Sequence, residues 1–198
     1  MRTGAEGLDV AKQRLDGVLV GLWLAAIAAG GAVLTRHATT AGADSGAVAR
    51  WPRGSAIERG GARGTLVCFA HPRCPCTRAT MRALERVVSR SPGVAVRVVF
   101  GDDPAGDVTS SPTWSLAARV PGAARVRDPG GREARRFGAT TSGLVLFFDA
   151  QGALRFRGGV TAGRGHEGDS AGADALEAAL RGGPSAGARV FGCGLGAP

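Results

Sequence analysis

The pattern of apolar and polar positions divides the chain into three regions. Residues 17–34 carry no charge, and as a helix they would be about 27 Å long, close to the ~30 Å hydrocarbon core of a bilayer. Residues 35–62 are mostly small and polar, a composition typical of linkers. Residues 63–198 contain short apolar runs separated by amphipathic ones, which predicts one folded domain.

The apolar segment predicts a membrane anchor. The flank at residues 1–16 contains basic residues, and further arginines follow the segment, so the charge balance does not set an orientation. The run is longer than the ~7–15-residue core of a signal peptide. We therefore expect an uncleaved signal anchor that crosses the cell membrane once and leaves the folded domain on the extracytoplasmic side. A buried core helix is the alternative.

Within the folded region, apolar runs predict strands and amphipathic runs predict helices. The predicted strands are Thr65–Ala70, Val94–Phe100, Ala124–Arg127, Leu144–Phe148 and Leu154–Arg157. The predicted helices are Pro75–Arg90, Pro112–Val120, Arg132–Phe137 and Ala173–Leu180. The order β-α-β-α-β-α-β-β-α predicts an α/β sheet with parallel crossovers that ends in an antiparallel hairpin.

The net charge of +9 does not make this a nucleic-acid-binding protein. Lys12 is the only lysine among the 25 basic residues, and the arginine-rich, isoleucine-poor composition is typical of a GC-rich genome. The arginines are scattered, and aromatic residues make up only 5% of the chain. A nucleic-acid interface needs clustered basic residues, so we expect no nucleic-acid partner.

The most informative motif is Cys74-Pro75-Cys76, between the first predicted strand and the first helix of the domain. Proline is favoured at the first position of a helix, which places Cys74 at the N-cap. Free backbone N–H groups and the helix dipole stabilise a thiolate there and lower its pKa. The motif therefore predicts an activated cysteine with a second cysteine two residues later.

A cysteine pair at a strand-to-helix junction, in this order of elements, resembles the thioredoxin fold. Further motifs are similar to those of RedB-type proteins, which are membrane-tethered redoxins. They are His71–Ala79, Phe137–Gly143, Arg164–Asp169 and Val190–Cys193. The resemblance implies a thioredoxin-like fold, with a central mixed sheet, flanking helices and a C-terminal hairpin, and it implies a redox role.

The sequence departs from thioredoxins at two places. Thioredoxins have two residues between their cysteines, whereas Cys74 and Cys76 are separated by one. Thioredoxins also have a cis-proline just before the first strand of the hairpin, and Ser142, preceded by Thr141, stands there in this chain. By this resemblance Thr141 and Ser142 would face the cysteines, mainly as hydrogen-bond donors.

Four other residues are candidates for the site. Cys193 lies in a glycine-rich C-terminal segment, which could fold back to make it a resolving cysteine or a third metal ligand, or could leave it a packed thiol. His71 could favour a thiolate, ligate a metal or simply form a hydrogen bond. His166 and Glu167 are candidates for a proton-transfer pair, with an inert surface loop as the alternative.

Three functions are compatible with this chemistry. The first is a membrane-tethered thiol–disulfide oxidoreductase with no required cofactor, acting on protein or small-molecule thiols and disulfides with a reductant or oxidant partner. The second is a protein that binds or delivers copper, with Cu(I) held by Cys74, Cys76 and His71, because soft thiolates suit Cu(I). The third is a thiol peroxidase, although the peroxiredoxin Pro-x-x-x-Thr-x-x-Cys signature is absent.

Overall fold

The N-terminal part of the chain forms one long helix, α1 (Thr3–Thr39). The structure is a computed structural model that describes residues 3–43, 46 and 48–196. Within α1, the stretch Arg14–Thr39 is long and apolar enough to cross a membrane, and none of its apolar window is buried. The helix extends beyond the predicted segment 17–34 because no proline interrupts the sequence on either side of it.

A second compact unit begins at Thr39 and is built on a mixed sheet. Its strands are β1 (Gly64–Ala70), β2 (Val94–Phe100), β3 (Ala123–Arg127), β4 (Leu144–Asp149), β5 (Leu154–Gly158) and β6 (Ala186–Gly187). Its helices are α2 (Pro75–Ser89), α3 (Pro112–Ala117), α4 (Arg132–Arg136) and α5 (Ala171–Leu180). Short 3₁₀ turns lie at Val108–Ser110 and Pro129–Gly131.

Among the described residues the strand order is β3-β2-β1-β4-β5-β6. Strands β1, β2 and β3 are parallel, whereas β4 runs antiparallel to both β1 and β5. All seven residues of the central strand β1 are buried, because apolar clusters cover both faces of the sheet. This double cover explains why β1 is a continuous apolar run rather than an alternating one.

Part of the segment that we expected to be a linker packs against the domain. The ring of Trp51 meets the rings of Phe137 and Phe148 edge-on, with centroids 5.2 and 5.1 Å away. The side chain of Ile57 is buried in the same cluster. The small, polar composition of residues 35–62 hides these two large apolar side chains, whose burial is favourable enough to hold the segment on the sheet.

The predicted elements agree with the structure to within three residues at each end. Strand β6 is the exception, because its two residues are too few to show a periodic pattern.

The parallel crossover from β1 through α2 to β2 places the N-terminus of α2 at the carboxyl end of β1. The Cys-Pro-Cys motif therefore lies at one edge of the sheet.

Candidate active site

Cys74 is the N-cap residue of α2, with an extended backbone (φ −88°, ψ 128°) and Pro75 at the first helical position. Proline fits there because the first N–H groups of a helix have no intrahelical partner. The backbone N–H groups of Cys76 and Thr77 are oriented to stabilise a negative charge on the sulfur of Cys74. The local sequence thus creates the thiolate site expected from the motif.

A second chain segment brings another thiol to Cys74. Residues 192–196, called the tail below, run beside residues 140–142. The Ser142 N–H donates to the Cys193 carbonyl at 2.8 Å, and the Leu195 N–H donates to the Thr140 carbonyl at 2.9 Å. This main-chain pairing leaves the sulfur of Cys193 only 3.1 Å from that of Cys74.

Three cysteines meet at this point. The sulfurs of Cys74, Cys76 and Cys193 all lie within 4.8 Å of one another. None of them is bonded to another, and the 3.1 Å between Cys74 and Cys193 is well beyond the ~2.05 Å of a disulfide. Cys74 and Cys76 are buried, whereas Cys193 is exposed. The fourth cysteine, Cys68, lies apart in β1, where burial raises the pKa of its thiol to about 12.

The three thiols of the cluster differ in acidity. Burial opposes ionisation of Cys74, but a hydrogen bond from Cys193 and several backbone N–H groups lower its pKa below the ordinary value. Burial and the neighbouring Cys74 charge raise the pKa of Cys76. Desolvation beside Cys74 and the hydrogen bond to it raise the pKa of Cys193 to about 12, although the residue as a whole is exposed. Cys74 is therefore the preferred thiolate.

Arg164 is a site residue that the sequence analysis did not single out. Its guanidinium donates a hydrogen bond to the Gly192 carbonyl, which anchors the tail, and its charge favours ionisation of Cys76 and Cys193. The neighbouring Gly165 N–H faces the sulfur of Cys76. The only signal in the sequence was the position of Arg164 at the start of the Arg164–Asp169 motif.

The loop that contains Arg164 lies beside the start of α2, but the side chains of its predicted acid–base pair are exposed. His166 and Glu167 are both exposed. In the part of the chain that the structure describes, neither side chain forms a hydrogen bond or an ion pair, and neither belongs to the sulfur cluster. The structure thus brings the backbone of this loop to the thiols, and not its histidine or glutamate.

Thr141 and Ser142 flank the cysteines, but their hydroxyl groups bond to other partners. The Ser142 hydroxyl accepts a hydrogen bond from the His71 N–H at 2.9 Å and lies 2.7 Å from the Thr77 hydroxyl. The Thr141 hydroxyl donates to the Ala43 carbonyl at 2.8 Å. We expected side-chain hydrogen bonds toward the sulfurs; instead these side chains brace the turn before Cys74 and the segment that precedes the sheet.

The backbone of Ser142 accounts for the absence of a proline at this position. Its N–H holds the Cys193 carbonyl, and a proline has no N–H to donate. No cis peptide bond occurs among residues 3–43, 46 and 48–196. A serine at position 142 thus permits the main-chain contact that brings Cys193 to Cys74.

His71 lies before the motif and outside the sulfur cluster. Its Nδ1 atom accepts a hydrogen bond from the Arg73 N–H at 3.3 Å. The Arg73 guanidinium in turn pairs with Asp103 at 2.9 Å, and this hydrogen bond lowers the pKa of the Asp103 carboxyl. No histidine among the described residues joins the three sulfurs. In this structure His71 orders the turn that leads to Cys74.

A cleft of about 180 Å³ opens beside Cys74. Its lining consists of prolines, basic residues and a threonine next to the thiol, namely Pro72, Arg73, Cys74, Pro75, Arg78, Pro112 and Thr113. The arginines give the cleft a positive potential, which favours a thiolate and an anionic ligand. Of the three thiols in the cluster, Cys74 is the one that lines this cleft.

Comparison with known proteins bears on the fold. No protein-family model and no curated protein matches the sequence. An uncharacterised conserved protein from Geobacillus kaustophilus superposes with a TM-score of 0.58 and 18% identity, covering 81% of this chain and 93% of its own. A hypothetical protein from Sinorhizobium meliloti 1021 gives 0.56 and 20%, covering 79% and 93%.

A thioredoxin-like protein from Aeropyrum pernix matches with a TM-score of 0.47 and 17% identity, over 80% of this chain and 99% of its own.

The order β2-β1-β4-β5, with a parallel β1–β2 pair and an antiparallel β4–β5 hairpin, decides the fold class. The fold is thioredoxin-like. This thioredoxin-like domain carries its Cys-Pro-Cys motif where β1 meets α2, and the expected fold class is confirmed.

Proposed function

We propose that this protein is a thiol–disulfide oxidoreductase in which Cys74 is the nucleophile and Cys193 is its resolving cysteine. The observation that carries the proposal is the 3.1 Å contact between the two sulfurs. The lowered pKa of Cys74 and the raised pKa of Cys193 fit this division of roles, because the thiolate is the attacking form.

The exchange takes place in two balanced steps. The Cys74 thiolate attacks one sulfur of a substrate disulfide, forms a mixed disulfide and releases the other substrate sulfur as a thiolate. Cys193 then loses its proton to solvent and attacks the Cys74 sulfur, which forms the Cys74–Cys193 disulfide and releases the second substrate thiolate. The substrate gains two electrons and the protein loses two, so an external dithiol must reduce the protein again.

The proposal includes a membrane anchor. The helix α1 has the length and composition of a single membrane span, and we place the thioredoxin-like domain on the extracytoplasmic side because disulfides persist in oxidising compartments. The similarity of the motifs around Cys74, Arg164 and Cys193 to RedB-type proteins supports a redox role. The substrates would be protein or small-molecule thiols and disulfides.

Disulfide mapping tests the chemistry. The full chain, reduced in detergent without metal, is equilibrated in glutathione buffers of graded potential, and disulfides are located by alkylation and mass spectrometry. We expect one reversible Cys74–Cys193 disulfide. In Cys193→Ser, a mixed disulfide between Cys74 and glutathione should accumulate, because the thiol that resolves it is missing.

Two variants make the mapping decisive. Cys68→Ala removes a buried thiol outside the cluster and should leave the Cys74–Cys193 disulfide unchanged. Cys76→Ser should also leave it in place. A pairing of Cys74 with Cys76 alone would refute the role of Cys193, and a protein that forms no disulfide at any potential is not an oxidoreductase of this kind.

Labelling of intact cells tests the topology. Cys193 is exposed and Cys74 is the preferred thiolate, so a membrane-impermeant maleimide added to spheroplasts should label the reduced protein, and the double variant Cys74→Ser with Cys193→Ser should lose most of that label. Labelling that appears only after the membrane is permeabilised would place the domain in the cytoplasm.

A further inference from the structure

The sulfur of Cys76 lies in the three-sulfur cluster but has no role in the proposed disulfide exchange. Exchange between Cys74 and Cys193 needs two sulfurs, yet Cys76 lies within 4.8 Å of both of them. We propose that Cys74, Cys76 and Cys193 form a three-coordinate site for one Cu(I) ion. Cys193 is then the third ligand, one of the two residues that the sequence analysis offered for that place, the other being His71.

The spacing of the sulfurs fits a metal at their centre. A metal about 2.3 Å from each of three sulfurs in one plane holds them about 4 Å apart. The shortest separation in the cluster is 3.1 Å, and all separations are within 4.8 Å. Small side-chain rotations therefore suffice to reach the bound geometry.

The donor set favours Cu(I). The cluster consists of three thiols, and no histidine, aspartate or glutamate among the described residues belongs to it. Thiolates suit Cu(I), Zn²⁺ and Fe–S clusters. Zn²⁺ takes four ligands, with water as the fourth where the protein supplies three, whereas three sulfurs alone complete a trigonal Cu(I) site, so Cu(I) is the ion that this cluster satisfies without a further ligand.

Nearby groups can stabilise the negative charge of such a complex. Three thiolates and one Cu(I) have a net charge of −2, and the positive charge of the Arg164 guanidinium favours the ionised form of both Cys76 and Cys193. The Gly165 N–H faces the sulfur of Cys76. These donors would be outer contacts of the thiolate ligands, and outer contacts tune the affinity of a metal site.

The third ligand is held in place by the main chain. The tail is fixed by the Ser142 N–H on the Cys193 carbonyl and by Arg164 on the Gly192 carbonyl. The backbone of Cys193 is therefore held beside the other two sulfurs although this residue is exposed. A bound metal would need no folding of the tail, because the tail is already paired.

Metal binding involves no redox step. Three thiols lose three protons to solvent, and their sulfurs donate electron pairs to Cu(I), whose oxidation state does not change. A Cys74–Cys193 disulfide removes two of the three donors. The disulfide and the copper complex therefore exclude each other. The copper site requires only the three reduced sulfurs, so it can exist even if the protein does not exchange disulfides with a substrate.

A competition titration tests the site. The full chain, reduced and anaerobic in detergent, is titrated with Cu(I) against the chelator bicinchoninate. We expect one Cu(I) per chain. Cys193→Ser and Cys76→Ser should each weaken the affinity by about tenfold or more, since even the loss of an outer contact costs 10–100-fold. Cys68→Ala should bind as the unmodified chain does, and circular dichroism verifies that each variant is folded.

X-ray absorption of the loaded protein gives a second measurement, and three sulfur neighbours are expected. A nitrogen neighbour that disappears in His71→Ala would overturn the proposed ligand set, and so would undiminished affinity in Cys193→Ser. Preferential binding of Zn²⁺ in the same titration would overturn the assignment to copper. Oxidised protein should bind no Cu(I), and equal binding by the oxidised form would also refute the site.

Discussion

Gly192 lies so close to Ser142 that a Cβ atom at position 192 would be 1.8 Å from the Ser142 carbonyl oxygen. The neighbour is backbone, so it cannot rotate away. The tail therefore reaches its position beside residues 140–142 only because residue 192 has no side chain. The contact between Cys193 and Cys74 depends on this approach.

The first prediction concerns Gly192→Ala. The added methyl group should displace the tail, and overpacking of this kind costs about 1–3 kcal/mol, which lowers the equilibrium constant for the Cys74–Cys193 disulfide by roughly 5- to 150-fold. Disulfide mapping in glutathione buffers measures this change.

Gly194→Ala is the matched control. An added Cβ at position 194 meets nothing within 4 Å, so this variant should form the disulfide as readily as the unmodified chain. An equal loss in both variants would mean that the tail is not held by the approach of Gly192 to Ser142.

The second prediction concerns the pH dependence of thiol reactivity. The pKa of Cys74 is lowered, and that of Cys193 is raised to about 12. A lowered pKa leaves more thiolate at neutral pH, so Cys74 should be the thiol of the cluster that iodoacetamide modifies fastest at pH 7. Its rate should fall only as the pH drops through its lowered pKa, and mass spectrometry of each cysteine follows the reaction.

Removal of the Cys193 thiol, which donates a hydrogen bond to the Cys74 sulfur, should raise the pKa of Cys74. In Cys193→Ala the thiolate of Cys74 loses the bond that stabilises it, so the pH profile of Cys74 should shift to higher pH. An unchanged profile would mean that the backbone N–H groups alone lower the pKa of Cys74, and a shift to lower pH would mean that Cys193 raises it.

The third prediction concerns Arg164. Arg164→Gln removes the positive charge that favours ionisation of Cys76 and Cys193, so the alkylation of both thiols at alkaline pH should slow severalfold. Arg86→Gln is a suitable control, because Arg86 also donates to a backbone carbonyl, that of Gly168, and is not one of the charges that act on the three sulfurs. Equal rates in the two variants would exclude an electrostatic role for Arg164.

The fourth prediction concerns the segment before β1. Trp51→Ala should destabilise the thioredoxin-like domain by about 3 kcal/mol, the lower end of the range for buried aromatic residues, because its ring packs against Phe137 and Phe148. Urea unfolding in detergent measures the loss. Trp23→Ala, at an exposed position in α1, should not change the unfolding of the domain.

The sequence predicts those parts of the fold whose signals lie within a few neighbouring residues. The continuous apolar run of β1 and the apolar face of α2 predict their elements directly, and the Cys-Pro-Cys spacing predicts an N-cap thiol. These features depend on neighbouring residues, so a single sequence contains them. The resulting α/β order led to the correct fold class.

The rest of the site depends on contacts between distant segments. Cys193 is 119 positions from Cys74, and the pairing that joins them uses main-chain N–H and carbonyl groups, which leave no side-chain pattern. Arg164 was overlooked because His166 and Glu167 have more familiar proton-transfer chemistry. Only the path of the loop shows that the arginine anchors the tail and that the other two side chains are exposed.

The distance between Cys74 and Cys193 along the chain also has a consequence for synthesis. At about 5–20 residues per second, a ribosome needs roughly 6–24 s to travel from one cysteine to the other. During that interval the nascent chain contains Cys68, Cys74 and Cys76 but not yet Cys193. The first cysteines to emerge can react only with each other or with outside thiols, and the mature pair becomes available only after Gly192 and Cys193 have been added.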